Sequence, residues 1–248
     1  MKELLVTRGL GLEIDRKNII RDVDTSLAVG EIKGVMGPNG AGKSTFLRLL
    51  AGELCPTSGE IALRGEDMTS KPAREFNKSG ISYVSQRPGP FPDLTVEENV
   101  RGAVQRGSLF SRRSVRSKVD TLVDLIGMQA KLGLSARELS YGEMRTLDVG
   151  MALASEPVLL LADEPTAGVS GDVADEIITL LKGLCRSNDG RRFGLDGLIF
   201  VEHDKGTVFH LADRVGFLRE GRFVVEGSPE EVHENRAVVQ YLAEHGVD

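Results

Sequence analysis

A glycine-rich octapeptide has the residue types that hold phosphate groups. It follows the apolar stretch 31–36 and precedes an apolar-periodic stretch, and it consists of Gly37, Pro38, Asn39, Gly40, Ala41, Gly42, Lys43 and Ser44. Glycines let backbone N–H groups turn inward onto phosphate oxygens, and a following helix adds the positive end of its dipole. The spacing GxxxxGK[ST] predicts a nucleotide phosphate loop in which Lys43 reaches the terminal phosphates and Ser44 binds Mg²⁺. The alternative is an ordinary strand-to-helix turn.

Two acids follow the apolar stretch 158–162, namely Asp163 and Glu164, before Pro165. A buried parallel strand delivers Asp163 to the carboxyl edge of a sheet, beside the phosphate loop, where it can hold Mg²⁺. Glu164 can then polarise the attacking water, because phosphoryl transfer needs a positioned nucleophile. A helix cap is the competing interpretation, and the preceding apolar run together with Pro165 disfavours it.

A third motif, Leu139 to Glu143, lies just before a predicted helix. Ser140 suits an N-cap and Glu143 occupies the capping-box position, so a purely structural explanation is available. Taken alone, the motif leaves both interpretations open.

With these motifs in this order, the chain resembles ATP-binding-cassette (ABC) ATPases over essentially its full length. The resemblance implies ATP and Mg²⁺ as cofactors, with Thr45 joining the phosphate-loop residues. It places the signature on Ser140 and Gly142, the glutamine loop on Gln86 and the switch histidine on His203. The resemblance assigns catalytic roles to Glu164, His203 and Gln86. It assigns the binding of Mg²⁺ to Ser44, Gln86 and Asp163.

Within that family, the chain is most similar to cassettes of branched-chain amino acid importers and their urea-importing relatives. The likeness rests on 140–143, Ala167-Gly168, 201–204 and the ending 227–232 with Tyr241-Leu242. It implies ATP-driven import of a small polar solute, with branched-chain amino acids as the cargo. A urea or amide importer, an exporter and a non-transport ABC ATPase remain as alternatives.

Three non-transport classes fit less well. Cassettes of DNA repair carry a long coiled coil between phosphate loop and signature, whereas fewer than 100 residues separate Ser44 from Ser140. Translation-associated members hold two cassettes in one chain, and a non-hydrolysing regulator needs neither Glu164 nor His203. The net charge of -6 also argues against a nucleic-acid partner.

The resemblance further implies a dimer, identical or paralogous, in which each ATP lies between the phosphate loop of one chain and Ser140–Gly142 of the other. Transmembrane permease subunits are expected to dock near residues 87–100, with an indirect link to a periplasmic or extracellular solute-binding protein. The chain has no apolar stretch of membrane-spanning length, no secretory signal and no Cys cluster around Cys55 or Cys185. We therefore expect a cytoplasmic protein, peripheral on the inner face of the cell membrane.

Four departures from the family pattern stand out. No aromatic residue lies near Ile14, where many members stack one on adenine, and the loop after the acid pair has Ser170 where an aspartate is frequent. Lys33 lies inside the strand leading to the phosphate loop, where an apolar residue is usual. The connection 188–197 is longer than typical and predicts a surface loop.

Apolar runs alternating with helical patterns predict an α/β fold with a mainly parallel sheet. The predicted strands are 4–7, 31–36, 61–63, 81–84, 158–162, 198–201, 215–218 and 222–226. The predicted helices are 43–51, 115–126, 142–154, 172–185, 205–212 and 229–244. We expect one domain over 1–248, with a P-loop NTPase (RecA-like) core formed by 1–87 and 155–248, a small N-terminal antiparallel β layer, and an inserted helical subdomain at 88–154 carrying the signature.

Overall fold

The computed structural model describes residues 2–105, 112–169, 171–186 and 195–244. Ser170 and most of the connection 188–197 lie outside these ranges. The strands are β1 (Glu3–Ile14), β2 (Lys17–Ala28), β3 (Ile32–Met36), β4 (Ser58–Leu63), β5 (Glu66–Asp67), β6 (Ile81–Val84), β7 (Leu159–Asp163), β8 (Gly197–Val201), β9 (Arg214–Arg219) and β10 (Arg222–Gly227). The helices are α1 (Lys43–Leu50), α2 (Ala73–Lys78), α3 (Val96–Gln105), α4 (Arg112–Leu125), α5 (Tyr141–Leu153), α6 (Gly171–Arg186), α7 (Lys205–Leu211), α8 (Pro229–Glu234) and α9 (Arg236–Glu244).

The larger sheet has the strand order β10-β9-β3-β8-β7-β6 within the described ranges, and only β10 runs antiparallel to its neighbour. Its central strands are buried on both faces. In β7, Leu159 and Leu161 pack into one core with α1 and the small sheet, while Leu160 and Ala162 pack into a second core with the helices. This two-sided burial explains the continuous apolar runs that predicted a parallel sheet.

The expected antiparallel layer is present, with the order β2-β1-β4-β5. The expectation was wrong about its extent, because β1 spans 12 residues and pairs with β2, also of 12 residues, which was not predicted as a strand. Charged residues interrupt β2 on its outer face, while Ile20, Val23 and Leu27 point into the core. Period-two burial, rather than an apolar run, is therefore the signal that was missed.

The helical subdomain lies between β6 and β7 and contains α3, α4 and α5. In the described part of this segment, the β pairing consists of an isolated bridge between Thr95 and Ser135. α3 was not predicted, although Thr95 and Glu98 form reciprocal capping hydrogen bonds at its start. The Thr-x-x-Glu spacing was the available signal. The fold class is thus confirmed, an α/β P-loop NTPase core with a helical subdomain.

The single helix expected over 229–244 is two helices. Asn235 has extended backbone angles between α8 and α9, and its Oδ1 accepts the N–H of Ala237 at 3.0 Å. An asparagine side chain competes with the backbone for hydrogen bonds and so favours a cap over a helix interior. Val232 of α8 and Val238 of α9 both pack into the same core, so apolar residues continue across this break.

Lys33 is fully buried and is satisfied by a polar network between the two sheets. Its Nζ donates to Thr25 Oγ1 at 2.5 Å and to the carbonyl oxygen of Ser26, and it lies 3.1 Å from Glu226 Oε1. Burial lowers the pKa of Lys33, and the nearby carboxylate of Glu226 opposes this shift. Arg214 also contacts Glu226, at 2.7 Å. The lysine therefore joins β3 to β2 and β10.

No helix among the described residues has the length and apolarity that crossing a bilayer requires.

Candidate nucleotide site

The predicted site residues follow four neighbouring parallel strands. At one edge of the sheet, the order β3-β8-β7-β6 brings together the phosphate loop after β3, His203 after β8, Asp163 and Glu164 at the end of β7, and Gln86 after β6. The carboxyl ends of parallel strands share an edge, which is where ligands bind in open α/β sheets. Residues up to 166 positions apart in sequence, Gly37 and His203, thus come to one edge.

The phosphate loop is fixed by glycines and by its contact with β9. Gly37 has φ 146°, and a Cβ there would overlap the carbonyl oxygen of Leu218. Gly42 has φ 104° and lies close to the carbonyl oxygen of Ile19. Since other residues rarely adopt such angles, the loop requires glycine at both positions. The N–H of Gly221 also donates to the carbonyl of Ala41 at 3.0 Å, which ties the loop to the β9–β10 turn.

Lys43 begins α1 and is buried within the loop. Its Nζ donates to the carbonyl oxygens of Gly37 at 2.8 Å and Pro38 at 3.1 Å. Burial lowers the pKa of Lys43, whereas the negative charges of Glu164 and Asp163 favour the ammonium form. The cation is therefore held between the loop and the acid pair, where a phosphate would gain a charge-assisted hydrogen bond.

Asp163 has the properties of a cation ligand. The Tyr83 hydroxyl donates to its Oδ2 at 3.1 Å, while its buried Oδ1 has no hydrogen-bond partner among the described residues. Burial raises the pKa of Asp163, and contacts with the Ser44 and Tyr83 hydroxyls oppose this shift. Buried carboxylate oxygens are rarely left unpaired, and Mg²⁺ prefers carboxylate and hydroxyl oxygens. The unpaired Oδ1, on a carboxylate that the Ser44 hydroxyl contacts, therefore fits Mg²⁺.

Glu164 has both carboxylate oxygens engaged. Gln86 Nε2 donates to Oε2 at 2.8 Å, and His203 Nε2 lies 2.6 Å from Oε1. The residue has φ 50°, an unusual value for a side chain of this size, and its N–H donates to the carbonyl of Val201 at 3.0 Å. Such backbone strain is concentrated at functional sites because the surrounding structure must impose it.

Arg145 was missed by sequence reasoning, yet it supports the site from behind. The guanidinium is fully buried and donates to the carbonyl oxygens of Ser85 at 2.7 Å and Glu164 at 2.8 Å. It therefore connects α5 to the segment before Gln86 and to the acid pair. The available signal was a charged residue among the apolar positions of a helix that begins at the signature motif.

The hydrogen bonds described for the signature residues Ser140 and Gly142 are made within the first turns of α5 and not with the phosphate loop. Ser140 is exposed and caps α5, and it exchanges hydrogen bonds with Glu143, as the capping-box interpretation expected. Gly142 is buried, and a Cβ there would lie 2.9 Å from Val173. The contact between Tyr141 and Gly168 places this segment against the loop after the acid pair.

Ile14 ends β1 at the turn into β2, and its side chain is 45% exposed. It therefore presents an aliphatic surface at the position near which the resemblance led us to expect an adenine-stacking aromatic.

A protein-family model described as ABC transporter matches residues 20–167, which is more than half of the chain. The chain belongs to the ABC transporter family. Members of this family bind and hydrolyse ATP, so the protein is an ATPase and the ATP-binding subunit of an ABC transporter.

Several characterised relatives cover most of this ABC cassette. The lipopolysaccharide export ATP-binding protein LptB of Acidithiobacillus ferridurans is 31% identical over 98% of each chain. The ribose import ATP-binding protein RbsA of Yersinia pestis is 32% identical over 89% of this chain and 43% of its own length. The putrescine transport protein PotG of Escherichia coli is 31% identical over 97% of this chain and 61% of its own. The cassette thus spans about half the length of these two import proteins.

Solved structures share the fold of the ABC cassette. The ADP-bound ATP-binding cassette MJ1267 superposes with a TM-score of 0.83 at 24% identity, covering 98% of this chain and 99% of its own. The cassette cbiO1 of Clostridium perfringens has a TM-score of 0.83 at 26% identity, covering 99% of this chain and 96% of its own.

Proposed function

We propose that this ABC cassette is the motor of an importer for a small polar solute, with branched-chain amino acids as the cargo. The observation that supports the motor role is the contact of Glu164 with both Gln86 and His203 beside the phosphate loop. The cargo proposal rests on the resemblance of the segments 140–143 and 201–204 to the branched-chain amino acid importer cassettes. Import of urea or an amide is the alternative cargo assignment, because the same motifs resemble the urea-importing cassettes.

In the proposed hydrolysis of ATP, the chain's own residues bind the phosphates and activate the water. The phosphate loop, Gly37 to Thr45, binds the ATP phosphates, and Lys43 exchanges its loop carbonyl partners for phosphate oxygens. Glu164 accepts a proton from the attacking water, and His203 orients the Glu164 carboxylate and contacts the γ-phosphate. Asp163, Ser44 and Gln86 would hold Mg²⁺, which would neutralise part of the phosphate charge when bound. The short Glu164–His203 distance fits the requirement for a positioned general base.

A second cassette completes the site in this proposal. Ser140 is exposed at the N-terminus of α5, and its hydroxyl and the helix dipole suit the γ-phosphate of an ATP bound by another chain. ATP then joins the two cassettes, and hydrolysis releases them.

The permease is proposed to dock on the surface formed by residues 87–100. Asn99 is buried and holds this loop, since its side chain bonds the N–H and carbonyl of Phe91 and the carbonyl of Leu94. Phe91 is 61% exposed, although a large apolar side chain is usually covered. The core would comprise 1–87 and 155–248, and the helical subdomain 88–154 would carry the docking surface. Permease docking would place the cassette on the cytoplasmic face of the membrane, with a solute-binding protein on the other side.

ATP turnover by the purified chain tests the motor role. We expect Mg²⁺-dependent phosphate release, and Glu164→Gln should reduce kcat by about 100-fold or more because the general base is lost. ATP should then accumulate in a dimer that size-exclusion chromatography detects. Near-normal turnover by Glu164→Gln would exclude its role as the base.

Export is a second candidate, and the 31% identity to the lipopolysaccharide export protein LptB over 98% of both chains favours it. Co-purification with the permease decides between the two directions. The complex is reconstituted in vesicles, and ATP-dependent uptake of leucine or urea is compared with release of lipopolysaccharide. Stimulation of ATP turnover by leucine and its binding protein supports import of branched-chain amino acids, whereas stimulation by lipopolysaccharide alone contradicts it.

A further inference from the structure

A buried carboxylate beside the site has no role in the mechanism above. Glu202 directly precedes His203 and is only 4% exposed. Its Oε1 accepts two hydrogen bonds from Thr166, from the backbone N–H at 2.8 Å and from Oγ1 at 2.7 Å. The side chain thus joins the loop after β8 to the loop after β7.

These two loops carry the two residues whose contact the mechanism needs. Thr166 is two positions after Glu164, and a backbone bond from Glu164 to Val201 joins the same loops at 3.0 Å. The backbone bond fixes one side of Glu164, and the Glu202–Thr166 pair fixes the other. The strained φ of Glu164 requires such support from its surroundings.

A buried carboxylate at position 202 lowers the free energy of unfolding, so folding by itself gives no reason for a glutamate there. Burial raises the pKa of Glu202, the nearby charge of Glu164 adds to this shift, and the hydrogen bonds from Thr166 oppose it. Ion pairs with Glu202 are absent from the described residues, so its charge is stabilised by hydrogen bonds. A buried anion beside a second acid is a feature typical of functional sites.

We propose that Glu202 is a positioning residue for ATP hydrolysis, whose carboxylate holds the loop of Glu164 against the loop of His203. This inference rests on the roles proposed for Glu164 and His203. In this proposal Glu202 acts through these two residues and takes no direct part in the reaction. Because Thr166 leads into residues 167–169, Glu202 also fixes the start of the segment that packs against Tyr141.

Steady-state phosphate release over a range of ATP concentrations tests this role. Glu202→Ala should lower kcat about 10- to 100-fold, the order expected when a reacting group is displaced by about 1 Å, with KM for ATP within about twofold. Glu202→Gln keeps an oxygen acceptor for Thr166 and should restore most of the rate. Thr166→Val, which removes only the hydroxyl, should cause a smaller loss that disappears in the Glu202→Ala background.

Two further variants separate positioning from folding. In the Glu164→Gln background, Glu202→Ala should cause no additional loss of kcat, since its effect passes through Glu164. Glu231→Gln is the control, because Glu231 also accepts a backbone hydrogen bond, from Ser228, but lies in the first turn of α8. It should hydrolyse ATP at the wild-type rate.

The outcomes distinguish this inference from the proposed function. If wild type hydrolyses ATP and both Glu202→Ala and Thr166→Val keep its kcat, Glu202 is not a positioning residue. If Glu202→Ala fails to fold, a lower kcat in Thr166→Val together with near-wild-type kcat in Glu202→Gln supports the inference, and wild-type kcat in Thr166→Val contradicts it. If wild type itself shows no turnover, the proposed function fails and this inference fails with it.

Discussion

His203 Nε2 lies 2.6 Å from Glu164 Oε1, and this contact joins the ends of the neighbouring strands β8 and β7. The other carboxylate oxygen of Glu164 accepts a hydrogen bond from Gln86 at 2.8 Å. The proposed general base is therefore oriented from both sides. A base that is held in one orientation loses less entropy when it meets its water.

Replacing His203 should impair the chemical step more than the binding step. In His203→Ala, Glu164 loses one of its two partners while Lys43 and the phosphate loop stay intact. We expect kcat to fall about 100-fold, within the range typical of general acid–base groups, with ATP affinity changed by less than about threefold. Phosphate release and a fluorescent-nucleotide binding assay measure the two quantities. An equal loss of binding and turnover would show that His203 holds ATP in its ground state.

Replacing Asp163 should impair Mg²⁺ binding. Asp163→Asn keeps the size of the side chain but removes the charge of the unpaired Oδ1. We expect the Mg²⁺ concentration for half-maximal turnover to rise about 10- to 100-fold, as is common when groups that support a metal are altered. Binding of ATP in the presence of EDTA should change little. Tyr83→Phe is the matched control, because it removes the partner of Oδ2 alone and should cause a smaller shift. An unchanged Mg²⁺ requirement would contradict a role for Asp163 in holding the ion.

Asp148 should make stability depend on pH between about 4 and 6. Burial raises its pKa from 3.8 to about 6, and the charge of Arg145 and the N–H of Gly89 oppose the shift. Between these values the folded state binds more protons than the unfolded state, so the free energy of unfolding falls as pH rises. The contribution is at most about 3 kcal/mol, from about two pKa units. Asp148→Asn should therefore gain stability relative to wild type between pH 4 and pH 7, as urea unfolding would measure. A constant difference across that range would contradict the buried-acid interpretation.

The Lys33 network should tolerate loss of the lysine better than loss of the glutamate. Lys33→Met leaves Glu226 paired with Arg214 at 2.7 Å, so we expect a destabilisation of about 1–2 kcal/mol. Glu226→Ala leaves the buried Lys33 without its counter-ion and should cost about 3–5 kcal/mol. Combining Lys33→Met with Glu226→Ala should recover part of the larger loss. Thermal unfolding of the three variants measures this order, and the reverse order would show that the network depends more on Lys33 than on Glu226.

The sequence by itself determined the class of fold and named the candidate residues of the site. The phosphate-loop spacing, the acid pair after an apolar run and the capping box of α5 are local patterns, because neighbouring residues generate them. Local patterns also predicted the parallel strands, whose burial on both faces produces continuous apolar runs. They failed for β2 and for the break at Asn235, where outward-facing charges or a continued helical period concealed the structure.

Only the tertiary structure decided which residues meet. Glu164 and His203 are separated by 39 positions, and their contact depends on the pairing of β7 with β8. The same pairing brings Glu202 to Thr166, and the packing of α5 against the sheet brings Arg145 to the backbone of Glu164. The environment of Lys33 likewise depends on the tertiary structure, because Glu226 of β10 lies 193 positions away in sequence. Strand order and interlayer packing are non-local, so residue types and spacing define the candidates while the fold selects their partners.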